Sequence, residues 1–411
     1  MAQLDFSGKS KSASALCRSD CPESIRRAHE EGDSMTKKLS EAFIIAAVLF
    51  IISFPAAAQK KACFTSAARD EAERTAKVYQ APDPGYDPVL GYNPDSGQRP
   101  GAPPVDSNGR GLLLNCVANK KSNEGTGTTP KFYCSVSGVM DEHGDLVRYK
   151  VKPHFKGQTP DKRNGEVYGE FLSSRFSKAL GFFADDEWVA DVNCPDCEKS
   201  LNKKFQGTSF NPFQPAAGIE LPLGNGIDVN CDSKDSGALA PSLDKLLKSG
   251  APRAEIDAFK LWLGFIDHGD TKADNQKFSC LDSSKNPDGS RICKPGQAVY
   301  YVSDMGSTFG YSSASEKKVR LANWKGKDPI KVSGGHCSTT AKSVGATDIS
   351  EAGRDLLARG LQHLLDEEQS DSLITRVFRA SRNDERDAPA EQWSAEFQRK
   401  AKMIIDARCS N

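Results

Sequence analysis

The chain has 411 residues, enough for two lobes with cores of ordinary size. Its 55 basic and 55 acidic residues cancel, leaving no overall positive field of the kind that nucleic-acid binders use. Only 37% of the residues are apolar, and Gly and Pro are frequent, so long surface loops are expected.

Residues 1–34 are polar and precede a second methionine, Met35, where translation is expected to begin. Residues 35–58 then have the form of a secretory signal: a basic start at Lys37-Lys38, an apolar run over 42–54, and Pro55-Ala56-Ala57-Ala58 with cleavage after Ala58. The run is short for a membrane span, so no stable span is expected after cleavage; an uncleaved anchor is the alternative. A secreted or periplasmic location follows.

Ten cysteines remain beyond the signal: Cys63, Cys116, Cys134, Cys194, Cys197, Cys231, Cys280, Cys293, Cys337 and Cys409. An even number in an exported chain predicts disulfides. Cys116 with Cys134, and Cys280 with Cys293, would each staple a hairpin. Cys194-Pro195-Asp196-Cys197 reads as a structural disulfide, with a redox pair or half a zinc site as alternatives.

Residues 59–110 read as an extended arm. One helix is expected over 67–78, before Pro- and Gly-dense stretches at 81–85 and 98–104. From 111 to 225 a β-rich lobe is expected. Strands are predicted over 112–117 and 132–136, with the loop Gly125-Thr126-Gly127-Thr128-Thr129-Pro130-Lys131 between them. Backbone N–H groups and hydroxyls at Gly127, Thr128 and Thr129 could approach phosphates, though a plain hairpin turn is the simpler reading. Residues 146–153 alternate as a strand with Lys150 and Lys152 on one face. Either lysine could reach nucleotide phosphates, Lys152 being preferred. An amphipathic helix over 165–180 carries Glu170, placed to pair with that lysine, and Glu166 one turn earlier as the fallback. Residues 194–222 look irregular.

From 226 to 411 the chain reads as mainly helical. Helices are expected over 242–248 and 252–266, the second with Ile256, Phe259, Leu263 and Ile266 as its buried stripe. It delivers His268-Gly269-Asp270-Thr271-Lys272-Ala273-Asp274-Asn275, of the form H-x-D-x-K-x-x-N. Strands over 276–281 and 298–302 follow, and then Asp304-Met305-Gly306. Phosphoryl transfer needs a carboxylate to take the acceptor proton, and an amide oxygen and second carboxylate to hold a divalent cation. Asp270, Asn275 and Asp304 can supply these groups, with Lys272 on the transferred phosphate. Asp267 is the reserve base. A calcium loop built on Asp267, Asp270 and Asp274 is the alternative. The region to 344 is polar and could face the substrate. Helices over 350–369, 370–382 and 391–407 complete the chain, with mixed charges on solvated faces.

In their order, these motifs resemble the protein-kinase-like superfamily. Lys152-Pro153, Glu170 with Ala179-Leu180-Gly181-Phe182, and residues 304–310 are similar to secretory-pathway kinases of the Golgi casein-kinase type. The Gly/Thr-Pro-Lys loop is similar to that of HipA-type kinases. The resemblance covers residues 125–310. It departs at Gly269, where an Arg is usual, and in the first loop, which is not G-x-G-x-x-G. It implies an α+β, two-lobed, disulfide-stabilised kinase-like fold. It also implies ATP or another nucleoside triphosphate, Mg²⁺ or Mn²⁺, and transfer of the γ-phosphate to a hydroxyl of an unidentified acceptor. A kinase-fold binding protein without catalysis, and transfer of AMP, are the alternatives.

Overall fold

The computed structural model describes residues 66–119, 129–141, 144–153, 164–201, 210–226, 243–272, 275–286, 291–313, 318–341, 345, 347–366, 372–381 and 387–410. All of these lie in one compact unit, Ala62–Asn411. The signal segment, Cys63, Cys231, Gly127, Thr128 and Asp274 lie outside the described residues.

The fold is mixed α+β. Helix α1 (Ser66–Thr75) is followed by β1 (Gly111–Asn115), β2 (Val117–Ala118), β3 (Phe132–Ser135), β4 (Tyr149–Lys152), α2 (Glu166–Ala179), β5 (Asp186–Asn193) and β6 (Phe213–Leu221). Six strands form one sheet in the order β1-β5-β6-β4-β3-β2. Its two edges, β1 and β2, are consecutive in the chain and separated only by Cys116, so the sheet curls towards closure. Inside the curl, Phe132, Cys134, Tyr149, Val151, Trp188, Val192 and Ile219 form a buried core. Two disulfides, Cys116–Cys134 and Cys194–Cys197, sit in the same core.

The expected strand over 112–117 is thus two strands split at Cys116. The stretch 194–222 is not irregular throughout, because β6 runs through its second half at the centre of the sheet. Pro215 and the left-handed Ala216, at φ 51°, disguise that strand locally, and the β5–β6 register shifts there.

The rest is mainly helical, with small sheets: β7 (Asn225–Gly226), α3 (Leu243–Lys248), α4 (Arg253–Phe265), β8 (Gln276–Cys280), β9 (Ser283–Lys285), β10 (Arg291–Cys293), β11 (Ala298–Val302), α5 (Leu321–Lys325), β12 (Ile330–Ser333), β13 (His336–Thr339), β14 (Asp348–Ile349), α6 (Glu351–Asp366), α7 (Leu373–Ala380) and α8 (Ala390–Asp406). The polar region after Gly310 therefore contains a three-stranded sheet, β12-β13-β14. Among the described residues no helix is long and apolar enough to cross a membrane.

Helix α2 is not amphipathic in its surroundings: every residue but Lys178 is buried. Its apolar positions pack both ways. Val167, Phe171 and Phe176 join the large core of the helical part, where Phe176 meets Phe397 at 4.6 Å and Phe378 at 5.8 Å. Its polar positions meet partners instead of water, as buried polar groups must. Ser174 donates to the Asp185 carbonyl (2.6 Å), and the Trp262 indole donates to Ser177 (2.9 Å).

Residues 76–110 tie the helical part to the sheet. Lys77 pairs with Val299 and Tyr79 with Phe182. Further on, Arg99 bridges to Asp186 (2.8 Å), and the Tyr149 hydroxyl donates to the Gly101 carbonyl (2.7 Å). At Gly91, φ 86°, a Cβ would fall 0.8 Å from the Arg175 guanidinium of α2. Only glycine lets the backbone lie on that cation.

All eight cysteines among the described residues are paired, the other two pairs being Cys280–Cys293 and Cys337–Cys409. Thiol titration of the denatured, unreduced chain from residue 59 onwards should therefore find at most the thiols of Cys63 and Cys231. Five or more would argue for a reducing compartment.

Candidate active site

Helix α4 ends where the catalytic chemistry would begin. Its last turn closes with Asp267 N–H donating to the Gly264 carbonyl (3.1 Å) and His268 N–H to the Leu263 carbonyl (2.9 Å). This pattern needs a left-handed residue just past the helix. Asp267 occupies it at φ 53°. Its carboxylate accepts two hydrogen bonds from Lys327 (2.9 and 2.8 Å), and the Lys400 ammonium donates to the Lys327 carbonyl from α8. Asp267 is thus engaged in holding the loop and is poorly placed to act as the reserve base.

The loop then docks on the Asp304 segment. Gly269 N–H donates to the Ser307 carbonyl (2.9 Å) and Phe309 N–H to the Ile266 carbonyl (2.7 Å). His268 is buried, and its Nδ1 accepts from Asp270 N–H (3.2 Å). The Asn275 side-chain nitrogen donates to the Asp270 carbonyl (2.8 Å). That commits the amide nitrogen inwards and leaves the amide oxygen as the atom able to ligate a cation. Asp270 projects a partly exposed carboxylate that meets Lys272 at 2.8 Å. Of the three carboxylates of a calcium loop, Asp267 and Asp270 are each paired with a lysine and Asp274 lies outside the described residues.

Burial pushes the His268 imidazole down to about 4, against the pull of Asp270 and Asp304. It is therefore neutral in the folded protein at pH 5, whereas the unfolded chain binds a proton from about 6.5. The stability this confers is complete above pH 6.5. It falls by up to about 3 kcal/mol as pH drops to 4. Chemical denaturation at pH 7 and pH 4.5 should show wild type losing more stability than His268→Gln; parallel losses would refute the assignment.

Opposite the loop, Lys152 on β4 makes the central contact. Its ammonium pairs with Glu170 of α2 and lies 2.7 Å from Asp304 Oδ1, just beyond β11. Burial opposes the charge on Lys152, but Asp304 and Glu170 outweigh it and hold the amine well above its ordinary range. Lys152 in turn holds the Asp304 carboxyl well below the usual carboxylate range. Asp304 sits at φ 56°, a strained backbone for a non-glycine residue and one that recurs at working sites. Two glycines permit the approach. A Cβ on Gly169 would lie 2.4 Å from the Gly306 carbonyl, and one on Gly306 would lie 2.7 Å from the Glu166 Cβ.

Lys150 does not compete for Glu170: it pairs with Glu220 on β6. Glu166 takes a different role from either alternative. It accepts from the Thr129 hydroxyl (2.5 Å) and the Tyr311 hydroxyl (3.0 Å), tying the loop before β3 to the segment after Asp304. Thr129, Lys150, Lys152, Asp270, Lys272, Asn275 and Asp304 line one cleft of about 1050 Å³, with Glu170 buried behind it.

No known protein family matches the chain, and no curated protein matches it. Among solved structures it is similar to the crystal structure of a Helicobacter pylori proinflammatory kinase, CtkA. That likeness has a TM-score of 0.36 at 10% identity, covering 72% of this chain and 95% of the other. At that distance it carries no conclusion about chemistry, which rests on this chain's own residues.

Four groups were given no role of their own by the sequence: Lys131, Glu187, Glu220 and Asp185. Lys131 lines the cleft, and burial together with Lys150 and Lys152 lowers its amine from the ordinary range. Glu187 faces Glu220 directly across β5 and β6, while Glu220 faces Lys150 across β6 and β4. Burial, then Glu170 and Glu220, push the Glu187 carboxyl well above the usual carboxylate range. Asp185, also in the cleft, is raised to about 7 by burial and by Glu220. Strand register brings Glu187, Glu220 and Lys150 together. The Cys194–Cys197 pair is a buried disulfide, which removes the thiolates a zinc half-site would need.

The donor set suits a hard cation. Lys152 holds the Asp304 carboxyl well below the usual range, the Asp304 side chain is 38% exposed, and Asn275 and Asp304 line the same cleft. Carboxylate and amide oxygens are the ligands that Mg²⁺ and Mn²⁺ take.

Proposed function

We propose that this chain is a kinase-like phosphotransferase that moves the terminal phosphoryl group of a nucleoside triphosphate to a hydroxyl. The curled sheet and the helical part serve as its two lobes. One observation carries the reading. Residues far apart in sequence, Lys152, Glu170 and Asp304, meet in a single ion-pair relay across the cleft from Asp270 and Asn275. A solvated strand lysine has no need of two carboxylates from a helix and a loop.

In this reading Lys152, oriented by Glu170, contacts the phosphates of the donor. Asn275 and Asp304 would hold Mg²⁺ or Mn²⁺, whose charge offsets that of the phosphates. Asp270 accepts the proton of the attacking hydroxyl. Lys272, beside it, steadies the transferred group. Export to an oxidising compartment is part of the proposal. Four disulfides support it, since cytosolic chains rarely keep them.

The test is a thermal-shift titration with ATP and Mg²⁺ or Mn²⁺. A ligand at 100 times its dissociation constant stabilises by about 2.7 kcal/mol. The expected result is a shift with metal and nucleotide together that exceeds the sum of each alone. No shift with any nucleoside triphosphate would overturn the proposal. Binding without transfer to any protein, sugar, alcohol or water would favour a non-catalytic binder, and release of diphosphate with AMP retained would favour nucleotidyl transfer.

A further inference from the structure

The mixed charges of residues 391–407 read from the sequence as a solvated face. Lys400, on α8, breaks that reading, because it is 0% exposed. Its ammonium donates to the Lys327 carbonyl and lies 5.2 Å from the centre of the Trp324 ring. A carbonyl and an indole face are both neutral partners. Burial lowers the Lys400 amine to about 8, with Glu396, Asp267 and Asp328 opposing and Arg399 adding to the fall. A buried ammonium on neutral partners costs free energy that a methionine of similar length would not. Packing against Trp324 would be served by such an apolar side chain, so the reason for a lysine lies in what it holds.

Lys400 holds the turn between α5 and β12, residues 326–329. Two more side chains grip the same turn. The Thr340 hydroxyl donates to the Asp328 carbonyl (2.8 Å), and the Arg399 guanidinium lies 3.6 Å from the Asp328 carboxylate. Just before the turn, the Trp324 indole donates to the Phe265 carbonyl at the end of α4 (2.8 Å) and stacks on Trp393 of α8 (5.8 Å). The turn so fixed sends the Lys327 side chain back to the end of α4, where its ammonium donates twice to Asp267 (2.9 and 2.8 Å). Asp267 is the left-handed residue, φ 53°, that leads the chain out of α4, and Asp270 follows three residues later. Such a backbone persists only where its surroundings hold it. The end of α8 is itself anchored. Cys409 is bonded to Cys337, its N–H donates to Glu351 (2.7 Å), and Ser410 N–H donates to the Gly335 carbonyl (2.7 Å).

We infer that Lys400 is a positioning residue: through the Lys327 backbone and the Lys327–Asp267 pair, helix α8 sets where the loop places the Asp270 carboxylate. The inference rests on the phosphotransfer reading for what Asp270 does there. Asp267 and Lys327 line the cleft and Lys400 does not, so Lys400 acts only through its neighbours. A misplacement of about 1 Å can cost about 10²-fold in rate, so a strut built of ordinary hydrogen bonds is enough to matter.

The experiment compares the full chain with Lys400→Met, Lys327→Met and the double variant. Hydrogen exchange is read first, because it needs no turnover. The N–H groups of Asp267, His268 and Gly269 are all bonded to carbonyls, of Gly264, Leu263 and Ser307. In both single variants these amides should exchange faster than in wild type, while the amides of α6 keep their rates. Turnover with ATP and Mg²⁺ should fall about ten- to a hundredfold in each, at an unchanged Michaelis constant for ATP. In the double variant the loss should match the larger single loss, since both residues act along one path; losses that multiply would overturn the relay. Wild-type exchange at 267–269, or wild-type turnover, in Lys400→Met would overturn the inference and leave the phosphotransfer reading intact. Lys327 is half-exposed, so its variant keeps the test standing if Lys400→Met fails to fold, and wild-type values in it would overturn the inference equally. Faster exchange in the variants of a chain that transfers phosphate to no acceptor would uphold the strut and overturn the phosphotransfer reading.

Discussion

Replacing Asp270 by Asn should lower phosphoryl transfer by about 10²–10⁴-fold, the usual contribution of a general base. Nucleotide binding and the fold should remain nearly intact. The geometry makes this separation possible. The backbone of Asp270 carries the structural contacts: its N–H donates to His268 and its carbonyl accepts from Asn275. The side chain contributes only a partly exposed carboxylate beside Lys272. Asn keeps the shape and removes the proton acceptor. The Lys272 contact lies at the surface, so its loss costs at most about 1 kcal/mol. Turnover and Michaelis constant should be measured for both proteins, with melting temperature as the control. A fall in turnover at unchanged affinity is expected. Unchanged turnover would show that another group takes the proton, and the Lys327 clamp on Asp267 argues against that neighbour.

The candidate residues on short loops were legible because the loop itself carries the pattern. H-x-D-x-K-x-x-N and Asp304-Met305-Gly306 need no long-range knowledge to be seen. The Lys152–Glu170 pair was legible through two local periods, alternation along β4 and the turn spacing of α2. What the sequence hides is register. Lys150, Glu220 and Glu187 form a row across three strands, and only strand pairing reveals that one lysine serves the nearest of two facing carboxylates. Strand β6 was missed because Pro215 and Ala216 break its local rhythm while its neighbours on both sides supply the hydrogen bonds. Helix α2 was read as amphipathic because its serines, its arginine and two glutamates look like a solvent face, yet they face protein. The disulfides divide the same way. Cys116–Cys134 and Cys280–Cys293 close short loops, whereas Cys337–Cys409 spans 72 residues and depends on where the end of α8 comes to rest.

Asp304→Ala should abolish metal-dependent nucleotide binding and transfer together, which sets it apart from Asp270→Asn. In the proposed reading Asp304 supplies the carboxylate of the cation site, and Lys152 holds that carboxyl well below the usual carboxylate range. Without it Asn275 offers one neutral oxygen, too little to hold a divalent cation against water. Lys152 retains Glu170 as its partner in the variant, so metal-independent contact with the phosphates survives. The thermal shift produced by nucleotide alone should then match wild type, and the extra shift on adding Mg²⁺ should vanish. Ala tolerates φ 56° less well than Asp, whose short polar side chain is one of the few that visit the left-handed region. Asp304→Asn serves as the second variant, because Asn tolerates the left-handed region. Both variants should fold, bind nucleotide without regard to Mg²⁺, and transfer nothing measurable. If either keeps the full metal-dependent shift, Asp304 does not ligate the cation, and its contact with Lys152 is structural only.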